Sequence, residues 1–93
     1  MDIVIRRWNH GPAPAEALQQ REDEVRELLQ GAPGFVGYYA IQGGDTVTTI
    51  TVGNDRKGTE QSTRRARAWT ECNLAGAGIG SPEIFEGETF LQF

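Results

Sequence analysis

Two strand-like segments in the middle of the chain are joined by a short glycine-rich connection. Phe35 to Ile41 has the composition of a β-strand, and Thr46 to Val52 interleaves threonine with valine and isoleucine. The residues between them, Gln-Gly-Gly-Asp at 42–45, are typical of a turn that closes a hairpin. The centre of the chain is therefore predicted to be an antiparallel strand pair, and the flanking segments must be placed around it.

The segment before the hairpin predicts one strand and one helix. Ile3 to Trp8 is rich in β-branched residues, and the Gly-Pro-Ala-Pro sequence at 11–14 ends that strand. Helix-forming residues dominate from Pro14 to Gln30, and Gly31 with Pro33 supplies a stop. The apolar residues of this stretch share one face, which predicts an amphipathic helix: Leu18, Val25, Leu28 and Leu29.

The segment after the hairpin predicts a second helix. Asn54 or Asp55 can cap a helix that runs to about Leu74, and Glu60 with Arg64 forms a favourable i, i+4 pair within it. Helical spacing also defines a stripe that would face inward. That predicted inner stripe consists of Ser62, Ala66, Trp69 and Cys72 or Asn73.

The predicted order of elements is β-α-β-β-α-β. The glycine-rich segment 75–82 is expected to be a loop, and residues 83–93 a rather long last strand. This order is the split βαβ pattern of ferredoxin-like α+β domains, with a four-stranded antiparallel sheet. Because 93 residues leave no room for a second domain, a single domain is predicted to span residues 1–93.

One face of such a sheet would have no helices on it. Both helices pack on the same side, so the apolar residues that point the other way need another cover. A chain of this length also builds only a thin core, which makes association a source of further burial. A second copy of the sheet is the simplest cover, and we expect a homodimer formed through the sheet faces.

Composition argues against several classes of function. The net charge of −4 has the wrong sign for binding nucleic acid through its phosphates. No apolar stretch approaches the roughly 20 residues that a bilayer crossing requires, so we expect no membrane contact and a cytoplasmic protein. Cys72 is the single cysteine and His10 the single histidine, which excludes an internal disulfide and the common structural zinc patterns. We expect no metal site.

A set of short motifs runs in order along nearly the whole chain. The Pro33-Gly34-Phe35 entry into the second strand is the most specific of them. The others are Ile3-Val4-Ile5-Arg6-Arg7, Tyr38-Tyr39, the Gly-Gly-Asp hairpin, Arg64-Arg65-Ala66 with Trp69, and Pro82-Glu83-Ile84 to Gly87-Glu88. In this order they resemble the small antibiotic-biosynthesis-monooxygenase-like proteins, a family of dimeric α+β barrels.

The resemblance implies an architecture more firmly than a chemistry. It implies two sheets that face each other in a homodimer, and a cavity in each subunit between the sheet and its helices. Some members oxidise aromatic polyketides with molecular oxygen and neither metal nor flavin, so no cofactor is expected; others degrade haem, or isomerise or cyclise small organic substrates. The polyketide-oxidising members have an asparagine one helical turn before the tryptophan of the second helix, whereas Arg65 stands there in this chain.

Aromatic residues are the first candidates for the cavity. The resemblance places Trp69 over it, where the indole could stack on a planar substrate or polarise a carbonyl; the alternative is a core anchor. Tyr38 and Tyr39 point to opposite faces of their strand, so only one of them can face the cavity. The alternative for either tyrosine is packing at a half-buried interface with its hydroxyl in water.

Arg6 and Arg7 pose the same question on the first strand. An inward arginine could hold a carboxylate or an enolate, and the structural alternative is an ion pair with Glu86 or Glu88. Alternation puts Arg6 on the face of Val4 and Trp8, and Arg7 on the face of Ile3 and Ile5, without saying which face is inward. Thr49 of the third strand is a further candidate for the cavity wall.

His10 and Cys72 have simpler interpretations. His10 follows the first strand, where an exposed histidine with no catalytic partner is expected. Cys72 shares a helix face with Trp69, and a buried, unreactive thiol is expected.

The leading functional hypothesis comes from the resemblance. It is a cofactor-independent monooxygenase-like activity on a small aromatic or polyketide-type substrate, whose enolate or phenolate the cavity would stabilise. The competing hypothesis is a non-catalytic dimer that binds a small hydrophobic ligand, or a stress-related protein without chemistry. An enclosed cavity with inward polar groups would favour the first hypothesis.

Overall fold

A four-stranded antiparallel sheet organises the chain. A computed structural model describes residues 1–9, 11, 13–73 and 82–93. Its elements are β1 (Asp2–Trp8), α1 (Ala13–Gln20), α2 (Glu22–Gln30), β2 (Phe35–Gly43), β3 (Thr46–Gly53), α3 (Arg56–Asn73) and β4 (Glu83–Glu88). The strands are arranged in the order β2-β3-β1-β4, which confirms the predicted ferredoxin-like α+β fold. The predicted loop at 75–82 falls outside the described residues except for Pro82.

The strand register brings the candidate polar residues of three strands to one face. Arg6 of the central strand β1 lies opposite Thr49 of β3 on one side and Ile84 of β4 on the other. Tyr38 of β2 lies opposite Thr51 of β3. Residues directly opposite each other in a sheet share a face, and so do residues two apart along a strand. All five of these side chains therefore point to the same side.

The hairpin between β2 and β3 forms as predicted. β2 extends further than expected, to Gly43, and β3 begins at Thr46 as predicted, so the turn itself is Gly44-Asp45. Gly44 has a φ of 60°, in the left-handed region that glycine adopts without steric cost. The second glycine of the Gly-Gly-Asp sequence, Gly44, therefore suits the backbone conformation of this tight turn.

The predicted single helix over residues 14–30 is wrong, because two helices occupy this stretch. Arg21 leaves the helical conformation with φ −120° and ψ 32°, and separates α1 from α2. The break lacks the glycine or proline that usually signals one in a sequence. Three acidic residues, Glu22 to Glu24, fill the first turn of α2, where carboxylates interact favourably with the helix dipole.

The helix α3 begins at the second of the two predicted caps. The Asp55 carboxylate accepts a hydrogen bond of 2.8 Å from the backbone N–H of Gly58. Glu60 has a basic residue one turn away on either side, and its carboxylate contacts Arg56 at 3.2 Å instead of forming the predicted pair with Arg64. A Cβ at Gly58 would approach the Pro33 carbonyl oxygen to 2.7 Å, so the close packing of this turn requires glycine.

The predicted inner stripe of α3 is correct up to Trp69 and wrong for Cys72, while the side chain of the alternative, Asn73, lies outside the described part of the structure. Ser62 is buried, and Ala66 and Trp69 are partly buried. Cys72 is exposed, contrary to the expected buried thiol. The packing that covers Trp69 ends within the last turn, since Glu71 is exposed as well.

The interior between sheet and helices combines a small apolar core with buried polar side chains. Val4, Val47 and Leu29 are nearly inaccessible, and Ala15, Ala17 and Trp69 pack against the cluster of Trp8 and Val47. The sheet contributes polar side chains to the same interior. These buried polar residues are Asp2, Arg6, Thr49 and Thr51, with Thr59 and Ser62 from α3.

The opposite face of the sheet exposes large apolar side chains. Tyr39, Ile41 and Phe85 are 61%, 56% and 67% exposed. The predicted last strand is shorter than expected, because β4 ends at Glu88 and the apolar residues Phe90, Leu91 and Phe93 that follow it are exposed. None of the helices in the described residues combines the length and hydrophobicity needed to cross a bilayer.

Candidate functional site

A cavity of about 360 Å³ lies between the sheet and the helices. Its volume falls within the roughly 300–1,000 Å³ of typical small-molecule pockets. Aromatic and aliphatic residues from β1, α1, α2 and α3 form most of the wall, and polar groups come mainly from the sheet. The apolar wall includes Trp8, Leu18, Val25, Leu28, Leu29 and Trp69, and the polar wall includes Arg6, Tyr38, Thr49, Thr51 and Thr63.

Arg6 is the inward arginine of β1. It is 8% exposed, and its guanidinium donates hydrogen bonds to Thr51 Oγ1 at 3.3 Å and Thr63 Oγ1 at 2.7 Å. Burial lowers the pKa of Arg6 below its ordinary value, and the nearby charge of Arg67 acts in the same direction. The predicted ion pair with Glu86 or Glu88 does not form within the described residues.

Tyr38 is the inward tyrosine of β2. Burial raises the pKa of its phenol above 10.0, while a hydrogen bond with Thr49 and the charge of Arg6 partly oppose this shift. The phenol is therefore neutral at physiological pH, and can donate a hydrogen bond to a ligand. Thr49, only 2% exposed, orients this group from the neighbouring strand.

Trp69 lines the cavity from α3, as the resemblance implied. Its indole N–H donates a 3.2 Å hydrogen bond to Glu24 Oε2 of α2, so this donor is directed to the helix beside it. The indole ring thus serves as a wall, and the expected polarisation of a substrate carbonyl by its N–H does not match this geometry. Trp8 is a second aromatic wall whose buried Nε1 has no hydrogen-bond partner within the described residues.

The remaining candidates face away from the cavity or fall outside the described residues. Arg7 and Tyr39 are exposed on the opposite face of the sheet. Arg65 is the residue one helical turn before Trp69, where the polyketide-oxidising proteins have an asparagine. It is exposed, and its guanidinium donates a 3.4 Å hydrogen bond to the Leu28 carbonyl oxygen. His10 lies outside the described residues, among which no group of three or more metal-ligating side chains is found.

Several residues of the cavity were not predicted as site residues. Thr51 and Thr63 hold the Arg6 guanidinium, and Trp8 adds a second aromatic wall. Alternation along β1 and β3 gives a signal for Trp8 and Thr51, because it places them on the faces of Arg6 and Thr49. Thr63 follows Ser62 on α3, and its contact with β1 depends on how the helix packs on the sheet.

A larger, more open cavity of about 620 Å³ adjoins the first. It lies between α1, α2 and the edge strand β2, and shares Leu18, Val25, Leu29 and Tyr38 with the smaller cavity. These four shared side chains form the boundary between the two cavities. The buried arginine belongs to the smaller one only.

A polar cluster lies at the other end of β1. The Thr59 hydroxyl donates to the Asp2 carboxylate and lies 3.4 Å from Glu86 Oε2. Burial and the adjacent Asp2 carboxylate raise the pKa of Glu86 above its ordinary value of 4.5, although Arg56 and Thr59 oppose the shift. Glu86 does not line the cavity of about 360 Å³, so this cluster is distinct from it.

Comparisons with known proteins bear on the fold. No protein-family model matches the chain, and no curated protein matches it significantly. Among solved structures, it is similar to a monooxygenase from the gene ActVA-Orf6 of Streptomyces coelicolor, in complex with the ligand Nanaomycin D. The TM-score is 0.77 at 14% identity, over 99% of this chain and 89% of that one.

Two further structures show the same similarity. SnoaB, a cofactor-independent oxygenase from Streptomyces nogalater, matches with a TM-score of 0.71 at 15% identity, over 98% of this chain and 94% of that one. NE2512, a protein of unknown function from Nitrosomonas europaea, matches with a TM-score of 0.72 at 18% identity, over 99% and 91% of the two chains. Similarity at these identities shows the fold. The chain therefore has the fold of the antibiotic biosynthesis monooxygenase-type proteins, as its sequence motifs predicted.

Proposed function

We propose that this protein is a cofactor-independent monooxygenase-like enzyme that acts on a small aromatic or polyketide-type substrate. The observation that supports this most directly is that Arg6 and Tyr38 both line the sheet side of an otherwise largely apolar cavity and interact electrostatically. Two structural neighbours with the same fold are a cofactor-independent oxygenase and a monooxygenase, which supports this choice of chemistry.

The proposed reaction uses the substrate as its own reductant. A ring CH₂ group loses a proton to form an enolate or phenolate, and the electron-rich carbon then reacts with O₂. One oxygen atom enters the product as a carbonyl, and the other leaves as water with the two hydrogens of the CH₂ group. The protein contributes orientation and electrostatic stabilisation of the anion.

Each wall of the cavity has a part in this proposal. The Arg6 guanidinium is a fixed cation beside which the substrate oxyanion lies, and the neutral Tyr38 phenol donates a second hydrogen bond to it. Trp8 and Trp69 hold the flat ring system against the helices. Because these groups are in place before the substrate arrives, they need little rearrangement as charge develops.

Oxygen consumption tests the proposal. We expect metal-free protein to accelerate O₂ uptake by anthrone, whose ring CH₂ group fits the proposed reaction, and Arg6→Met to reduce the rate by at least about tenfold. Arg7→Met is the matched control, because it removes an exposed guanidinium from the adjacent position of the same strand. Equal rates for the two variants would contradict the assignment of the cavity as the reaction site.

A second candidate function is ligand binding without catalysis. Arg65 replaces the asparagine of the polyketide-oxidising members and is directed to the Leu28 carbonyl, and the indole N–H of Trp69 is engaged by Glu24. These features remove two groups that could act on a substrate. Ring compounds that bind in the cavity without faster O₂ uptake would favour this alternative.

We also propose that a second copy of the chain covers the open face of the sheet. Tyr39, Ile41 and Phe85 are large apolar side chains exposed there, and Ile5 and Ile50 pair at the centre of the same face. An identical sheet offers a complementary surface of the same composition. In such a dimer the two cavities would lie on the outer sides of the paired sheets.

A further inference from the structure

Arg6 is a buried cation whose hydrogen-bonding groups are only partly satisfied by the residues that the structure describes. Two N–H groups donate to Thr51 and Thr63, and an arginine carries five, so the other N–H groups have no acceptor within the described residues. Both acceptors are neutral hydroxyls. No carboxylate of the described residues lies within ion-pair distance of this guanidinium, although the residue is only 8% exposed.

The charges around Arg6 do not compensate it. Arg67 also lines the cavity, and Glu71 is the carboxylate that lines it. Glu86 acts on Arg6 electrostatically from β4, but its carboxylate is engaged by Arg56 at 3.8 Å and by Thr59 at 3.4 Å. The lining of the cavity therefore has one excess positive charge, and a buried charge without a partner is unfavourable.

We propose that the cavity selects organic anions, with a carboxylate or phenolate oxygen paired to Arg6 and a flat apolar body against Trp8 and Trp69. This deepens the proposed function, on which it rests, by naming the charge state in which the substrate is bound. A ligand oxyanion supplies the negative charge that the described lining residues do not provide, and accepts hydrogen bonds from the remaining N–H groups of the guanidinium. Tyr38 is placed on the same face of the sheet to donate a further hydrogen bond.

The test compares two ligands of one shape and different charge. Naphthalene-2-carboxylate and naphthalene-2-carboxamide are titrated into the full chain, and binding is followed by calorimetry and tryptophan fluorescence. We expect the carboxylate to bind at least about tenfold more tightly. Equal affinity, tighter binding of the amide, or binding of neither compound would overturn the proposal.

Variants locate the preference at Arg6. Arg6→Met should abolish the preference for the carboxylate, and Arg7→Met should retain it. Arg6→Lys keeps a cation in place and should retain part of the preference, which keeps the test decisive if Arg6→Met does not fold. A preference that persists undiminished in folded Arg6→Met, or disappears in Arg7→Met, would overturn the assignment.

A coloured phenol separates the two classes of anion. If the cavity binds phenolates, binding to the wild type should convert 4-nitrophenol to its yellow anionic form, which is measured by absorbance. Arg6→Lys and Arg6→Met should produce less of this anion. Carboxylate preference without this shift restricts the class to carboxylic acids. Preference for the anion without any O₂ uptake would contradict the proposed oxygenase activity but support this inference. O₂ uptake with equal binding of acid and amide would support the oxygenase activity and overturn this inference.

Discussion

The indole N–H of Trp69 donates a hydrogen bond to Glu24 Oε2 at 3.2 Å, and so joins α3 to α2 across the top of the cavity. The two helices also pack against each other, and the Arg65 guanidinium of α3 donates to the Leu28 carbonyl oxygen of α2. The Trp69 bond adds to these contacts and fixes the position of one aromatic wall relative to the helix beside it. The indole ring is thereby oriented by a residue outside the cavity, which makes Glu24 a positioning residue for the proposed site.

Removal of the Glu24 carboxylate should leave the Trp69 indole less firmly positioned beside the cavity. We expect Glu24→Ala to lower the free energy of unfolding by about 0.5–1 kcal/mol and to weaken binding of naphthalene-2-carboxylate. Glu24→Gln retains an acceptor and should stay closer to the wild type in both measurements. Glu27→Ala, an exposed substitution on the same helix, is the control for loss of charge. Unchanged ligand affinity in Glu24→Ala would show that the bond does not position the ring.

Tyr38 should titrate at higher pH than an ordinary tyrosine. Burial raises the pKa of its phenol above 10.0. The chain has two tyrosines, so the difference between wild type and Tyr38→Phe in the alkaline absorbance titration isolates this group, and Tyr39→Phe is the matched control. Because the folded state has the higher pKa, the stability that Tyr38 contributes is lost as pH rises above its unfolded value. A normal titration of Tyr38 would contradict its placement in the cavity.

Glu86 should make the protein less stable as pH rises from mildly acidic to neutral. Its folded pKa is raised above 4.5, so the folded state binds this proton more tightly than the unfolded state does. The resulting stabilisation is present below the unfolded pKa and is lost as pH rises through the folded pKa. We expect Glu86→Gln, which mimics the protonated form, to melt at a higher temperature than the wild type at neutral pH.

The measurement for Glu86 is the difference in melting temperature between wild type and variant across this pH range. That difference should grow with pH and then level off. Glu83→Gln removes an exposed carboxylate from the same strand and serves as the control. A wild type that melts above Glu86→Gln at neutral pH would show that the ion pair with Arg56 outweighs burial and the Asp2 charge.

A charge at the centre of the open face should prevent association. Ile50 lies opposite Ile5 and Tyr39 in the strand register. We expect the wild type to have the mass of a dimer by light scattering, and Ile50→Glu that of a monomer, because burial of an unpaired carboxylate is unfavourable. Gln19→Glu adds the same charge on an exposed helix position and should remain dimeric. A monomeric wild type at micromolar concentration would contradict the proposed dimer.

The sequence predicts the fold and much of the cavity wall because both depend on local periodicity. Alternation along a strand separates Arg6 from Arg7 and Tyr38 from Tyr39, and the structure places Arg6 and Tyr38 on the helix side. Alternation alone does not say which face is inward, because that depends on how α3 packs on the sheet. The motif order supplied the family resemblance, and the solved structures confirm it at the level of the fold.

The features that could not be predicted arise from contacts distant in sequence. The break at Arg21 has no glycine or proline to announce it, and the exposure of Cys72 depends on where the packing around α3 ends. The partners of Arg6 lie 45 and 57 residues away on β3 and α3. Thr51 shares the alternating face of Thr49, so strand periodicity gives a signal for its position but not for its bond to Arg6. Thr63 has no such signal, because its contact with β1 depends on how α3 packs on the sheet.

Transfer of labelled oxygen from O₂ to the product is the decisive test of the proposed oxygenase activity. Metal-stripped, flavin-free protein is incubated with anthrone under oxygen-18 gas, and the product is examined by mass spectrometry at early times, with a parallel reaction in oxygen-18 water to measure exchange. We predict one labelled atom from O₂ in the product, formed faster than without protein and at a rate that Arg6→Met reduces. Label derived only from water, or a rate equal to that of the uncatalysed reaction, would contradict the oxygenase account.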